Sequence, residues 1–159
     1  SSEVSQQILF WLFGSLTKST WTNVTVVAVV SSICILLLMR DSWKLTALRL
    51  GEERASALGV NLTRLRIKTL ILVAMMTATA ISFVGVIGFI GLVAPHVARL
   101  LVGEDQRYFL PATMLAGAAF LSFSSVLSKV IIPGALFPVG IVTSFVGVPF
   151  LFWIIWSKR

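Results

Sequence analysis

The sequence predicts an all-α fold, a polytopic transmembrane helical bundle with about five membrane-crossing helices. Of the 159 residues, 57% are hydrophobic and 12% are charged, and the mean hydropathy is +0.98. A soluble domain has roughly 45 to 50% apolar and about 25% charged residues. Four stretches contain no charged residue, and they span 19–39, 69–98, 108–128 and 130–157. Each reaches the roughly 20 residues that a membrane-crossing helix requires.

The basic residues predict how these helices are oriented. The segment 40–68 contains seven basic residues and three acidic ones, and Lys158 and Arg159 follow the last apolar stretch. Positively charged segments beside spans remain in the cytoplasm, so both segments are expected there. An even number of crossings must then separate Lys68 from Lys158, although only three uncharged stretches lie between them.

The 30-residue stretch 69–98 accounts for the missing crossing. As one helix it would be about 45 Å long, whereas the hydrocarbon core is about 30 Å thick. Its second half contains residues at which a chain bends or packs closely, namely Gly85, Gly88, Gly91 and Pro95. We therefore predict a long crossing over about 64–90 and a short return helix that starts at Pro95 and ends near Val102. The N-terminus is expected outside the cell.

The connection before the last crossing is predicted to be external and irregular. Residues 131–139 include Pro133, Gly134 and Pro138, and Gly140 follows directly. Non-helical backbone near membrane depth persists only where protein or a water-filled cavity covers it. This connection and the broken 69–98 stretch therefore indicate a transport pathway.

The composition excludes a soluble enzyme, a disordered chain and a disulfide scaffold. Cys34 is the only cysteine, the chain has one His, and the six carboxylates lie in loops or at expected membrane edges. Residues 14–19 lack the glycine that a phosphate-binding loop places before its Lys-Ser pair. We therefore expect no catalytic residue, no metal site, no cofactor and no nucleic-acid partner. Because the chain begins with Ser instead of Met, we expect it to be part of a longer protein.

Residues 50–60 (LGEERASALGV) predict a short amphipathic helix within the basic segment. Glu52 and Glu53 would lie in its first turn, Ala55 and Leu58 on one face, and Gly59 at its left-handed end. Such a helix is either a knob that another protein grips or an ordinary solvated surface helix. The residues favour neither interpretation.

His96 and Lys129 each have a structural and a functional interpretation. His96 precedes Arg99 by about one helical turn, and we interpret it as a hydrogen-bonded structural residue in preference to a proton carrier. Lys129 interrupts a nearly uncharged region on the predicted external side. Its side chain either extends to the external surface or presents a cation to an acidic partner there.

Several motifs together resemble the FecCD/BtuC-type permeases of ABC importers, which take up iron-siderophores, haem and cobalamin. They lie, in order, at 50–60, 88–103 (GFIGLVAPHVARLLVG), 110–111, 117–118, 138–143 (PVGIVT) and 147–150 (GVPF). The resemblance extends from about Phe10 to the C-terminus. Permeases of this family have ten helices, and this chain resembles helices six to ten. The resemblance therefore implies that residues 1–159 form the C-terminal half of a permease domain.

The resemblance also implies partners in the bacterial inner membrane. A second permease subunit or half, a dimer of ABC ATPase subunits that hydrolyses the ATP, and a periplasmic substrate-binding protein complete such importers. The family's loop between helices six and seven enters a cleft on the ATPase, which makes 40–68 the coupling loop. The implied coupling residues are Gly51, Glu52, Glu53, Arg54, Ala55, Leu58 and Gly59. Structural or gating roles are expected for Gly85, Gly88, Gly91, Pro95, His96, Arg99, Pro138 and Gly140.

Lys129 matches a basic residue near the outer end of helix nine that meets a carboxylate of the binding protein. The family commonly has Arg there, with an acidic residue one turn earlier where this chain has Ser125. Two alternatives remain, a fragment of an ion-driven secondary transporter and a structural membrane subunit without transport. The first would need a carboxylate or His buried in mid-membrane.

Overall fold

The computed structural model describes residues 1–17, 19–131, 133–134 and 138–159, and every regular element in these ranges is an α-helix. The elements are α1 (Ser2–Phe13), α2 (Trp21–Arg40), α3 (Ser42–Leu48), α4 (Glu52–Ala57), α5 (Leu62–Val84), α6 (Ile90–Val102), α7 (Gln106–Ile131) and α8 (Val139–Ser157). The prediction of an all-α polytopic bundle is confirmed. Helices α1 and α3 were not predicted from the sequence.

Four of these helices are long and apolar enough to cross a membrane, judged over the residues that the structure describes. They are α2, α5, α7 and α8, and each lies within or largely overlaps one of the four uncharged stretches. The predicted short return crossing is α6, which has 13 residues and extends about 20 Å. It is therefore shorter than the hydrocarbon core, which is about 30 Å thick.

The helices pack as neighbouring antiparallel pairs. Helix α2 packs on α5 through Cys34, Leu38 and Leu72, while α6 makes its most extensive contact with α7. Helix α8 packs on α6 and α7, with the C-terminal halves of α6 and α8 in contact. One end of the bundle therefore contains the C-termini of α2, α6 and α8 together with the N-termini of α5 and α7. We name this the basic end, after Arg40, Lys68, Arg99, Arg107 and Lys158.

The break between α5 and α6 differs from the prediction at both edges. Helix α5 ends at Val84 instead of continuing to Ile90, because Gly85 has φ +74° and the Val86 N–H donates to the Trp11 carbonyl of α1 (3.0 Å). Helix α6 then begins at Ile90, so the predicted start at Pro95 was wrong. The Phe89 carbonyl accepts from Leu92 and Val93 and starts the helix before the proline is reached.

Proline is an interior residue in three helices. Pro95 lies within α6, Pro111 within α7 and Pro149 within α8. Transmembrane helices accommodate proline because neighbouring helices and local adjustments satisfy the freed carbonyl groups. A proline in an apolar stretch is consequently a weak signal for a helix start, which explains the misplaced beginning of α6.

Candidate functional site

Helix α4 lies at the basic end as a single, tightly terminated element. Gly51 precedes it with φ +107°, and Gly59 follows it with φ +89°, which confirms the predicted left-handed end. The Gly59 N–H donates to the Ser56 carbonyl (3.0 Å), and the Val60 N–H donates to the Ala55 carbonyl (3.1 Å). This pair of bonds is the Schellman motif, which closes a helix and turns the chain back over its last turn.

Ala55 attaches α4 to the rest of the basic end. Its side chain is 0% exposed and lies in an apolar cluster with Ala47 of α3, Val60 and Leu65 of α5. Because Val60 and Leu65 belong to the start of α5 and the turn before it, a displacement of α4 must displace α5 or break this cluster. We name these four residues the α4 cluster.

Leu58 lies outside the α4 cluster, contrary to the prediction that it shares a face with Ala55. It follows the last helical residue, and its side chain is 59% exposed. The Schellman turn brings Val60 onto Ala55, so Val60 occupies the position that the helical spacing assigned to Leu58. Leu50, at the other end of α4, is 56% exposed. The basic end therefore presents two large apolar side chains flanking α4.

The charged residues of α4 differ in their partners. Glu52 forms an ion pair with Arg66 of α5, which gives α4 a second connection to that helix. Both side chains are more than half exposed, so this pair contributes only about 0 to 1 kcal/mol to stability. Glu53 and Arg54 are exposed. The α4 cluster, and not the ion pair, therefore provides most of the attachment.

Helix α3, which contributes Ala47 to the α4 cluster, also contacts the turn between α6 and α7. Arg49 Nη2 lies 2.5 Å from Glu104 Oε1, and Arg99 Nε of α6 lies 3.3 Å from the same oxygen. The Gln106 N–H at the start of α7 donates to Thr46 Oγ1 of α3 (3.0 Å). Arg99 was expected to have a structural or gating role. It shares Glu104 with Arg49, and so it contributes to the contact between α6 and the end of α3.

Asp41 is a buried charge between α2 and α3 that was not predicted from the sequence as a site residue. Its carboxylate accepts from Lys68 Nζ of α5 (2.5 Å) and lies 3.3 Å from Lys44 Nζ. The hydrogen bond from Lys68 lowers the pKa of Asp41 below its ordinary value, and although burial of the carboxyl opposes this shift, the hydrogen bond from Lys44 adds to it. The carboxylate therefore stays ionised at neutral pH and joins α2 to α5.

The opposite end of the bundle places two of the predicted structural glycines against α1. A Cβ on Gly85 would overlap the Trp11 carbonyl oxygen, and a Cβ on Gly140 would overlap that of Phe13. These glycines permit α1 to lie directly on the end of α5 and the start of α8. Pro138 precedes α8 as its extended N-cap, with φ −61° and ψ 134°.

Gly88 and Gly91 do not make the close contacts that the sequence predicted. Apart from the adjoining backbone, no atom would lie within 4 Å of a Cβ on either residue. The close approaches fall instead at Gly14, against Val86 and Ile87, and at Gly147, against the Phe89 ring. Spacing along one helix did not reveal these positions, because in both cases the contact comes from a distant segment.

His96 lies between aromatic side chains of α8. Its ring meets Phe150 edge-on at a centroid distance of 5.4 Å and Trp153 at 6.2 Å. No hydrogen bond from its ring to another described residue is present, so packing replaces the predicted hydrogen-bonded role. Pro95 beside it is partly buried within α6.

Lys129 lies in the last turn of α7, at the end of the bundle opposite the basic end, and its side chain is exposed. It forms no ion pair within the described part of the chain. Of the predicted irregular connection 131–139, residues 132 and 135–137 lie outside the described residues. Ile131 still belongs to α7, Pro133 and Gly134 form a turn, and Gly134 has φ +83°.

The fold and its apolar spans define a multi-pass helical membrane protein. The chain belongs to the FecCD transport family, whose sequence profile matches residues 1–157. It is also similar to a solved structure described as an inward-facing conformation of a metal-chelate type ABC transporter. That similarity has a TM-score of 0.90 and 34% identity, and it covers 100% of this chain and 51% of the other. The resemblance inferred from the motifs is confirmed.

Curated relatives support the same family. The hemin transport system permease protein HmuU of Yersinia pestis is 37% identical over 97% of this chain and 46% of its own length. The Fe(3+)-citrate import system permease protein YfmD of Bacillus subtilis is 35% identical, over 96% and 46%. The vitamin B12 import system permease protein BtuC of Vibrio parahaemolyticus is 32% identical, over 94% and 45%. The chain spans about half the length of the curated relatives it matches.

Among the described residues, no group of three or more His, Cys, Asp or Glu side chains could hold a metal ion. The basic end instead combines the α4 cluster, the exposed leucines and the ion pairs of α3. This arrangement is suited to transmitting a displacement between an attached protein and the spans.

Proposed function

We propose that this chain is the C-terminal half of the transmembrane permease of a binding-protein-dependent ABC importer in a bacterial inner membrane. Its cargo would be an iron-siderophore or a related metal chelate such as haem or cobalamin. A separate ATPase dimer supplies the energy, a second permease subunit or half completes the pathway, and a periplasmic protein delivers the cargo. The observation that carries this proposal is α4, which is exposed on one side and attached to α5 on the other.

The proposed coupling begins at the exposed surface of α4. Leu50 and Leu58 offer apolar side chains to a cleft on the ATPase, and burial of apolar surface favours association between proteins. Gly51 and Gly59 shape the two ends of the helix so that it protrudes as a short knob. Glu53 and Arg54 supply charged contacts at its rim.

Movement of α4 reaches the spans by two routes. The α4 cluster and the pair of Glu52 with Arg66 transmit it to α5. Helix α3, through Glu104 and the start of α7, transmits it to the α6–α7 pair. Packed helices shift as rigid bodies instead of deforming continuously, so both groups of spans would move together. Cargo would pass along the interface between two permease halves, with the break after Val84 and the start of α8 at Pro138 and Gly140 acting as gates.

A substitution at Leu58 tests the proposed function. In the assembled transporter, Leu58→Glu is expected to reduce retention of the ATPase on a tagged permease about thirtyfold, the loss expected when the burial of one leucine side chain, about 2 kcal/mol, is removed. Uptake of the chelate into proteoliposomes should fall in parallel. Leu58→Met is the matched control, because it preserves volume and apolar character, and it should retain both activities.

The same measurements can contradict the proposal. Unchanged ATPase retention and uptake in Leu58→Glu would show that α4 is a solvated surface helix. Uptake that continues without any ATPase and follows an ion gradient would place the chain in a secondary transporter. Insertion of the protein into the membrane is expected to be the same for all variants, because Leu58 lies outside the spans.

Lys129 is proposed to guide the periplasmic binding protein to the outer end of α7. Lys129→Glu is expected to slow association of the cargo-loaded binding protein about tenfold at low salt, because a charge at the rim of an interface mainly changes the association rate. The rates of the two proteins should converge as salt is added. Lys158→Glu changes the same charge at the basic end and should have no effect. Equal association rates for Lys129→Glu and the wild type at low salt would contradict this role.

A further inference from the structure

A cavity of about 700 Å³ at the basic end concentrates positive charge between α2, α3 and α5. Four of its lining residues are cationic, namely Arg40, Lys44, Arg64 and Lys68, and Asp41 is the only carboxylate among its lining residues. The cavity therefore carries three more positive charges than negative ones. We name it the basic cavity.

The internal ion pairs leave two of these cations available. Asp41 already engages both Lys44 and Lys68. Arg40 and Arg64 are exposed, and neither forms an ion pair with another described residue. Guanidinium groups bind phosphate oxygens through paired N–H donors, so two unpaired arginines in one cavity favour a phosphate-bearing ligand.

An apolar groove continues from the basic cavity along the spans. It has a volume of about 590 Å³, and its wall is formed by Leu37 of α2 and by Ile67 and Ile71 of α5. Arg64 and Lys68 line both the groove and the basic cavity. Since successive turns of α5 lead from Arg64 to Ile67 and Ile71, the groove extends from the charged region into the hydrocarbon core.

Trp43 marks the depth of the basic cavity in the membrane. It lines the cavity, its side chain is 52% exposed, and Lys44 Nζ lies 5.9 Å from the ring centroid. Tryptophan is enriched at the level of lipid headgroups, where its ring spans the boundary between apolar and aqueous regions. The basic cavity is therefore placed at the headgroup level of the cytoplasmic leaflet.

We propose that the basic cavity and its groove bind one anionic phospholipid of the cytoplasmic leaflet. Arg40 and Arg64 hold its phosphate, and an acyl chain lies on Leu37, Ile67 and Ile71. A soluble phosphate compound satisfies the charge but not the groove, so the joined cavities favour the lipid. Basic pockets between transmembrane helices on the cytoplasmic side are a recurrent arrangement for such headgroups. The bound lipid would stabilise the junction of α2 and α5 beside the α4 cluster.

Lipid retention on the assembled transporter tests this proposal. Detergent-purified transporter is mixed with palmitoyl-oleoyl phosphatidylglycerol or with the corresponding phosphatidylcholine, and retained lipid is counted by native mass spectrometry. The wild type is expected to retain phosphatidylglycerol preferentially. A basic residue near an anionic headgroup contributes about fivefold, so Arg40→Gln with Arg64→Gln should reduce this preference about thirtyfold. Lys158→Gln with Arg159→Gln removes the same charge from the same end, outside the cavity, and should leave it unchanged.

Three further experiments distinguish a bound lipid from other occupants of the basic cavity. Arg40→Lys with Arg64→Lys conserves the charges and should keep much of the preference for phosphatidylglycerol. Ile71→Trp fills the groove without changing the charges, and it should reduce retention of both lipids. Inorganic phosphate and glycerol 1-phosphate should not displace the lipid at equal concentration. Displacement by either would identify a soluble-anion site and overturn the proposal. Equal retention of both lipids by the wild type would also overturn it, as expected if another protein segment covers the cavity.

Discussion

Ala55→Asp is expected to abolish coupled uptake while leaving the spans inserted. Ala55 is 0% exposed within the α4 cluster, so the new carboxylate would enter an apolar environment. Burying a polar group without a partner costs about 3 kcal/mol or more, which favours the detached form of α4 about a hundredfold. Helix α4 would then no longer move α5. The measurement is chelate uptake by proteoliposomes together with trypsin cleavage at Arg49 and Arg54, which should become faster.

Ala57→Asp is the matched control for this prediction. It introduces the same side chain two residues later on the same helix, at an exposed position. Its resistance to trypsin should equal that of the wild type, so any loss of uptake would report contact between the α4 surface and the ATPase. Wild-type uptake and wild-type trypsin resistance in Ala55→Asp would contradict the proposed mechanical role of the α4 cluster.

Gly140→Ala is expected to destabilise the end of the bundle opposite the basic end. The added methyl group would overlap the Phe13 carbonyl oxygen, and a backbone atom cannot move aside as a flexible side chain can. Overpacking a buried site costs about 1 to 3 kcal/mol, and a backbone overlap belongs to the upper part of that range. The thermal midpoint of the purified transporter should therefore fall, and α1 should become accessible to proteases.

Gly91→Ala provides the comparison for Gly140→Ala. Both glycines lie within helices, and both were assigned structural or gating roles from the sequence. A Cβ on Gly91 would meet nothing within 4 Å, and alanine is the better helix former by about 1 kcal/mol. Its midpoint should be unchanged or higher. A similar loss of stability in both variants would show that the packing of α1 on Gly140 is not the cause.

The spans could be predicted because length and the absence of charge are properties of the sequence itself. Helices α2, α5, α7 and α8 each lie within or largely overlap one uncharged stretch. The ends of α4 were equally readable, since acidic residues favour a first turn and glycine permits the left-handed residue after the last one. These features are local, and the structure places them where the sequence predicted.

The break between α5 and α6 could not be predicted from the sequence, because it depends on a segment that is distant along the chain. Trp11 of α1 accepts from Val86, and Phe89 adopts φ +69°, which residues other than glycine rarely do. Helix α1 was not predicted from the sequence, so the break could not be placed at Gly85. For the same reason, close packing was predicted at Gly88 and Gly91 instead of at the glycines that contact a distant segment.

The candidate site was predicted in its position but not in its packing. Helical spacing placed Ala55 and Leu58 together, but the helix ends at Ala57, and the following turn substitutes Val60 for Leu58. Helix α3 supplies Ala47 to the same cluster, and it was also not predicted. Exposure of Leu58 therefore emerged only from the structure, and it is the feature that favours a partner-binding knob over a solvated helix.

The bonds between α1 and the segment after α5 have a consequence for the order of assembly. Val86 donates to Trp11, and Ser15 donates to Val84 (2.8 Å), so about seventy residues separate the bonded partners along the chain. During synthesis, α1 leaves the ribosome long before these partners exist. It can reach its final place only after α2 and α5 have entered the bilayer. Helix α1 is thus made before the segments that hold it and settles after them, and until then the insertion machinery or lipid must shelter its apolar residues.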